Sequence, residues 1–245
     1  MQLDELCHFC DDYLSINDFN DFCPNGLQIE GKDKINHLVT GVTASLELID
    51  AAIEQDADAI LVHHGYFWKG ESQPLVGYKG NRIRRLMQND ISLLAYHLPL
   101  DYHPTVGNNA QLANKMDWLV TEQLDGLWIG EVSQPCSVDV VLDELGEKID
   151  SNPLLIYGGD RPVHRIAWCT GAAQSYIEKA VAAGVDLYIS GEISEQTVHI
   201  ARETGIHYIA AGHHATERYG VQALGKLIAE RFSIYHEYIE IDNPV

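Results

Sequence analysis

Ile91-Ser92-Leu93-Leu94-Ala95-Tyr96 runs into His97-Leu98-Pro99-Leu100-Asp101, and Ile206-His207-Tyr208-Ile209-Ala210-Ala211 runs into Gly212-His213-His214-Ala215-Thr216-Glu217. In both, an apolar stretch of strand length is followed by a histidine, three residues and a carboxylate. A third apolar stretch, Ala59-Ile60-Leu61-Val62, runs into His63-His64-Gly65. Short continuous apolar runs read as strands buried on both faces. Imidazoles and carboxylates are ligands for Zn, Mn, Fe, Co or Ni. Three such clusters at three strand ends therefore predict a metal site built from distant parts of the chain.

Outward from these runs, strands alternate with amphipathic helices. His37 to Val42 reads as a strand and Leu46 to Gln55 as a helix with Leu46, Ile49 and Ile53 on one face. Asn81 to Gln88 reads as a helix before the Ile91 strand. The second half repeats the scheme: strand Arg165–Cys169, helix Ser175–Ala183, strands Asp186–Ile189 and Ile206–Ala211, helix Val221–Ile228 and a closing strand Ile234–Ile241. Strand-helix-strand units of about 30 residues predict parallel pairing with right-handed crossovers.

A shift of 128 positions overlays Asp58 on Asp186, Ile49 on Ile177 and Ala52 on Ala180, and puts His63 and His64 on Gly191 and Glu192. A shift of 116 overlays His97 on His213 and Asp101 on Glu217. The expected architecture is α/β: two related lobes, residues 1–125 and 126–245, with mixed, largely parallel sheets and a metal site in the cleft between them. Ligands in open α/β sheets gather at the carboxyl ends of strands. Leu119 to Pro135 is acidic and Gly-punctuated and reads as connection. Asn109 to Met116 and Val138 to Lys148 have helical spacing.

The formal net charge of −20 weighs against a general nucleic-acid binder and favours cation loading. No apolar run is long enough to span a membrane. Met1-Gln2-Leu3-Asp4-Glu5 is unlike a signal peptide, which points to the cytoplasm. The five cysteines at irregular spacing make no disulfide framework. Cys7-His8-Phe9-Cys10 sits in a helix with Leu3, Leu6, Tyr13 and Leu14 at helical spacing, so packing is the simpler reading of it than redox chemistry.

His63 and His64 would point to opposite faces of a continuing strand, so both serve one site only if the strand has ended, as Gly65 permits. Asp101 follows Pro99 in a turn, away from helix. Glu217 either caps a helix that begins near Ala215 or, if the helix includes His213, shares a face with it. His63, His64, Asp101, His213 and Glu217 supply three imidazoles and two carboxylates. That set suits two divalent ions ~3.5–4 Å apart with a bridging water, Glu217 being the candidate bridge. His97 and Glu192 are the candidate catalytic residues, the first as ligand, orienting partner or proton shuttle and the second as general base. Lys69, Lys79, Arg82, Arg84 and Arg85 form a basic group whose default reading is a solvated face. A pocket for substrate phosphates is the other. No phosphate-binding glycine loop or Gly-x-Ser-x-Gly elbow is present.

Seven segments stand in one order along the chain: Pro24-Asn25-Gly26-Leu27-Gln28-Ile29-Glu30-Gly31, Thr40-Gly41-Val42-Thr43-Ala44-Ser45, Val62-His63-His64-Gly65-Tyr66-Phe67-Trp68-Lys69-Gly70 and His97-Leu98-Pro99-Leu100-Asp101, then Gly107-Asn108-Asn109-Ala110-Gln111-Leu112, Ser190-Gly191-Glu192-Ile193-Ser194-Glu195-Gln196-Thr197 and Ala211-Gly212-His213-His214-Ala215-Thr216-Glu217-Arg218. In these segments the chain resembles the GTP cyclohydrolase I type 2 homologs, the Nif-three-like family, in its YbgI branch. The resemblance implies a two-lobed α/β fold, two metal ions per chain at His63, His64, Asp101, His213 and Glu217, and a ring-shaped homohexamer. The family label implies hydrolytic opening of the guanine ring of GTP. The expectation is a cytoplasmic dinuclear metal-dependent hydrolase of cyclohydrolase or amidohydrolase type, acting on a nucleotide or pterin-like small molecule. The alternative is a non-catalytic metal-binding regulatory or interaction protein.

Overall fold

The computed structural model describes residues 1–245. The chain forms two compact units, Met1–Gly107 with Arg218–Asp242, and Asn108–Glu217 with Asn243–Val245. It first leaves the first unit at Gly107, where the sequence reading put the division near residue 125, and returns to that unit at Arg218.

The first unit carries α1 (Leu3–Tyr13), β1 (Gly26–Ile29), β2 (His37–Thr43), α2 (Leu46–Glu54), β3 (Ala59–His64), α3 (Gly77–Gln88), β4 (Ser92–Ala95) and α4 (Leu98–Tyr102). The second carries α5 (Asn108–Met116), β5 (Leu119–Leu124), β6 (Leu127–Cys136), α6 (Val138–Ile149), β7 (Leu154–Ile156), β8 (Val163–Cys169), α7 (Ile177–Ala182), β9 (Leu187–Ser190), α8 (Glu195–Thr204) and β10 (His207–Ala210). Helix α9 (His213–Phe232) starts in the second unit and continues into the first, where β11 (Tyr235–Tyr238) is the last strand.

The first sheet has the order β1-β4-β3-β2-β11, all pairings parallel except β1 with β4. The second has the order β5-β6-β8-β9-β10-β7; β8, β9 and β10 are parallel neighbours and the outer pairings are antiparallel. Parallel pairing therefore dominates the first sheet only. The apolar run of β3 is continuous because both its faces are covered. Ala59 and Leu61 pack with Leu3, Leu6 and Cys10 of α1 and Val221, Leu224 and Ile228 of α9. Ile60 and Val62 pack with Leu48, Ile49 and Ala52 of α2 and with Ile83 and Leu86 of α3. Each Leu, Ile or Val side chain among these contributes ~1.5–3 kcal/mol by leaving water. In the second unit Ile129, Ala167, Tyr188 and Tyr208 pack on Ile177, Ala180 and Ala201.

The internal repeat is visible in the hydrogen bonds. Asp58 Oδ2 accepts from the N–H groups of Asn36 (2.9 Å) and His37 (3.1 Å). Asp186 Oδ2 accepts from those of His164 (3.0 Å) and Arg165 (2.9 Å), the positions 128 later. The registers agree, Leu38 opposite Ala59 and Ile166 opposite Leu187. The third strand follows a different offset, since Ala59 faces Ser92 while Leu187 faces His207, a shift of 115. The shift of 116 that aligns His97 with His213 thus contains one inserted residue after the strand. Gly212, at φ +100°, lies in this segment.

Three local expectations are corrected. Strand β3 continues through His64, so the histidines come from the last two strand positions and not from a turn. Asp101 is helical: Pro99 stands at the second position of α4, where its missing N–H costs nothing. The segment Leu119 to Cys136 is a hairpin, β5 with β6, turning through Asp125 and Gly126 at positive φ.

Asp58 is held below the usual carboxylate range: burial works against this, but Lys32 and the two N–H groups prevail. Replacing Asp58 by Ala leaves those two N–H groups unmet and is expected to cost about 1–3 kcal/mol in urea unfolding at pH 7. Because the folded carboxyl is the stronger acid, its contribution is full above the unfolded value and fades as pH falls through the folded one. The gap between wild type and D58A should therefore narrow by pH 3; an unchanged gap would contradict the assignment.

Candidate metal centre

The candidate side chains sit at strand ends: His63 and His64 are the last two positions of β3, while His97 and Asp101, and His213 and Glu217, lie where β4 and β10 give way to α4 and α9. In the first unit His63 is fully buried and His64 half-buried, with ring centroids 4.5 Å apart. The rings of His63 and His97 lie 5.1 Å apart. His63, His64 and His97 each offer a ring nitrogen within 4.8 Å of the others. Asp101, 6% exposed, places Oδ1 3.4 Å from His63 Nε2. Its own N–H donates to the His97 carbonyl at 3.1 Å, so α4 carries the carboxylate one turn beyond that histidine.

In the second unit α9 begins at His213, which settles the alternatives left open for Glu217: the two residues share a face, with Nε2 and Oε2 3.0 Å apart. Glu217 is 3% exposed and lies against Gly171, at φ +67°, where any side chain would collide with its carboxylate. Burial opposes charging the His213 ring, but the hydrogen bonds and charges of Glu217 and Glu192 outweigh it and raise its pKa to about 9.

Every one of these imidazoles has its Nδ1 engaged. His63 Nδ1 donates to the Tyr96 carbonyl at 2.9 Å, His97 Nδ1 to Asp21 Oδ1 at 2.7 Å and His213 Nδ1 to Glu192 Oε1 at 2.7 Å. Those three partners can only accept, so in each neutral ring the lone pair is on Nε2. His64 Nδ1 pairs with Thr43 Oγ1 at 3.2 Å. A backbone carbonyl or carboxylate on the far nitrogen is the arrangement that orients metal-binding histidines.

Glu192 thus sits behind His213 rather than in front of it, with Gln174 Nε2 on its other oxygen at 3.3 Å. The sequence reading missed Asp21 and Asn25. The Asp21 carboxylate also accepts from Phe22 N (2.6 Å), Asn25 Nδ2 (2.9 Å) and Leu98 N (2.9 Å), while Asn25 Oδ1 accepts from His97 N at 2.7 Å. Burial opposes its ionisation, yet His97, Asn25 and the Phe22 N–H bring Asp21 down to about 2. Asn25 lay inside a quoted motif; Asp21 had no periodic or motif signal. Asp21, Cys23 and His97 also cluster within ligand distance, but Asp21 is saturated with donors and burial pushes the Cys23 thiol to about 12. This cluster orients His97 rather than holding an ion of its own.

The remaining sequence candidates are structural. Burial and then Asp11 push the Cys7 thiol to about 11, and burial drives the Cys10 thiol higher still, so neither is a ready nucleophile. In the basic group Lys79 pairs with Glu71, Arg85 with Asp50 and Lys69 with Asn20, and Arg82 lies over the Tyr78 ring. No helix is long and apolar enough to cross a membrane.

The chain is 52% identical over 248 residues to the GTP cyclohydrolase 1 type 2 homolog of Pseudomonas aeruginosa, covering 99% of this chain and 98% of that one. It is 46% identical to the protein of the same name in Salmonella typhimurium, over the full length of both. Among solved structures, protein ybgI, described as of unknown function, superposes with a TM-score of 0.98 at 45% identity, covering 100% of each chain. A protein from Thermus thermophilus superposes with a TM-score of 0.90 at 34% identity, covering 100% of this chain and 99% of that one. The family model for Duf34/NIF3 (NGG1p interacting factor 3) matches residues 1–244, and the chain belongs to that family.

Proposed function

We propose that this chain is a dinuclear metal-dependent hydrolase whose two divalent ions (Zn, Mn, Fe, Co or Ni) are held by His63, His64, Asp101, His213 and Glu217. The observation that carries this reading is the orientation of the imidazoles: His63, His64 and His213 each have an oxygen partner on Nδ1, and Nε2 of His63 and of His213 lies beside the carboxylate of Asp101 and of Glu217. Imidazole and carboxylate donors in these numbers fit a pair of such ions. Bound there, the ions would supply Lewis-acid polarisation and lower the pKa of a water toward neutrality.

The protein's own contribution follows from its contacts. Asp21 fixes the His97 ring through Nδ1, which makes Nε2 the nitrogen that would handle a proton. Glu192 fixes the His213 ring from behind, a positioning role in place of the general base expected from sequence. The name carried by the relatives supports a C–N bond in a nucleotide or pterin-like ring as the target. We extend the reading to a homohexameric ring, on the family resemblance.

Elemental mass spectrometry of untagged protein is expected to find about two ions per chain. Asp101→Ala should lose at least one of them together with turnover; full metal content and full turnover in that variant would overturn the assignment. A protein that refuses all five metals would instead be a binding or interaction protein. Asp21→Asn and Glu192→Gln should keep the fold and lower metal affinity or turnover by about 10–100-fold. Wild-type values in both would remove them from the site.

A further inference from the structure

Eight non-glycine residues have positive φ. Seven are Ser or Asp, whose short polar side chains tolerate the left-handed region; the eighth is Phe67, at φ +66°. A bulky aromatic in that conformation persists only where its surroundings over-determine it, and such residues concentrate at ligand sites. The surroundings here are specific. The Glu71 carboxylate accepts from the N–H groups of Phe67 (2.9 Å) and Trp68 (3.2 Å). Lys79, only 7% exposed, holds that carboxylate at 2.9 Å and lies 5.0 Å from the centre of the Phe67 ring. Lys69 N donates to the Phe22 carbonyl at 2.7 Å, tying the turn to the segment that carries Asp21.

This turn delivers the Trp68 indole. Its N–H is satisfied inward, on the Gly65 carbonyl at 3.2 Å, which fixes the plane of the ring. The ring stands 4.9 Å from that of His97, nearly perpendicular, and 6.0 Å from that of His64. It is half-buried, and the side chains of Phe67 and Phe22 on the same tied segments are 39% and 59% exposed. Core packing does not call for an aromatic surface left partly open beside a group of imidazoles, least of all one held by a strained backbone. A large, rigid π-face is what a planar ring stacks on.

We propose that Trp68 is a stacking wall for a planar heteroaromatic ring of the ligand, beside His64 and His97, and that the Glu71–Lys79 pair is the latch that holds the wall in place. The inference deepens the hydrolase reading and rests on it for the chemistry performed next to the wall.

The test is calorimetric binding of guanosine 5′-monophosphate and of ribose 5-phosphate, which lacks the ring, to the metal-loaded full chain. Wild type and Trp68→Phe should prefer the nucleotide. Trp68→Leu should lose about tenfold or more in nucleotide affinity and nothing for ribose 5-phosphate. Glu71→Gln should fall in the same direction. Ligand quenching of tryptophan fluorescence should weaken in Trp68→Phe, although the other three tryptophans remain. Melting temperature and metal content of each variant separate these effects from misfolding. Equal nucleotide binding by wild type and Trp68→Leu would overturn the wall, as would equal affinity of wild type for both probes or binding of neither. Trp68-dependent nucleotide binding without metal or hydrolysis would keep the wall and remove the hydrolase. Metal and hydrolysis with KM unchanged in Trp68→Leu would do the reverse.

Discussion

A histidine ring has two nitrogens, and the protein decides which one faces a reacting group by choosing what it places on the other. In this chain that choice is made in the same sense at His63, His97 and His213, by groups that only accept, and at His64 the same nitrogen is held by a hydroxyl. Tyr96 contributes a main-chain carbonyl just past the end of β4, Thr43 a hydroxyl at the end of β2, and Asp21 and Glu192 contribute carboxylates from loops. The rest of the site depends on this constraint. Without it the rings would rotate, and the carboxylates of Asp101 and Glu217 would be buried beside donors of undefined direction. Sheet register supplies the constraint, because each acceptor sits one strand away from the ring it holds or in a turn that a neighbouring strand end fixes.

The internal repeat shows how one scaffold yields different parts. Asp58 and Asp186 perform the same structural task at equivalent positions, each accepting two N–H groups at the start of the preceding strand. Beyond the strand the two units diverge. Where the first has His63 and His64, the second has Gly191 and Glu192. Gly191 is needed because a Cβ there would press on the Gly171 carbonyl and the His213 backbone. Glu192 then reaches His213 from behind. The added residue at Gly212 lets α9 begin with His213 itself, whereas His97 precedes α4. A histidine and a carboxylate four residues on recur in both units, but with different entries into helix.

What the sequence disclosed and what it hid follow from range. The strands around His37, Ala59, Ile91, Arg165 and Ile206 and the helices between them announced themselves by local apolar pattern, and the histidine and carboxylate clusters by position after those strands. Asp21 was invisible because its partner His97 is 76 residues away and its segment has no period. Helix α4 was obscured by Pro99, which reads as a turn until its place in the first helical turn is known. The β5–β6 hairpin carried a legible signal in Asp125-Gly126 between Leu124 and Leu127, but β5 is exposed along its whole length and has no buried face to mark it as a strand. The strain at Phe67 had no sequence signal at all, since it arises from contacts made by Glu71 and Lys79.

Buried carboxylates decide what the site demands. Glu217 is almost wholly enclosed, and an ionised carboxylate in that position is costly unless a cation or strong donors meet it. Within the second unit His213 meets this demand as a proton-bearing ring: the two glutamates that flank it overcome its burial and keep it charged to about 9. A proton on Nε2 and a divalent ion at Nε2 are alternative answers to the same electrostatic demand. Under the proposed function, loading the site exchanges that proton for an ion of greater charge. The glutamate behind the ring serves both states, balancing the imidazolium in one and fixing the tautomer in the other. The same logic runs through Asp21: burial opposes its charge, but His97, Asn25 and the Phe22 N–H outweigh it and bring it to about 2, so an ionised carboxylate stands behind the His97 ring.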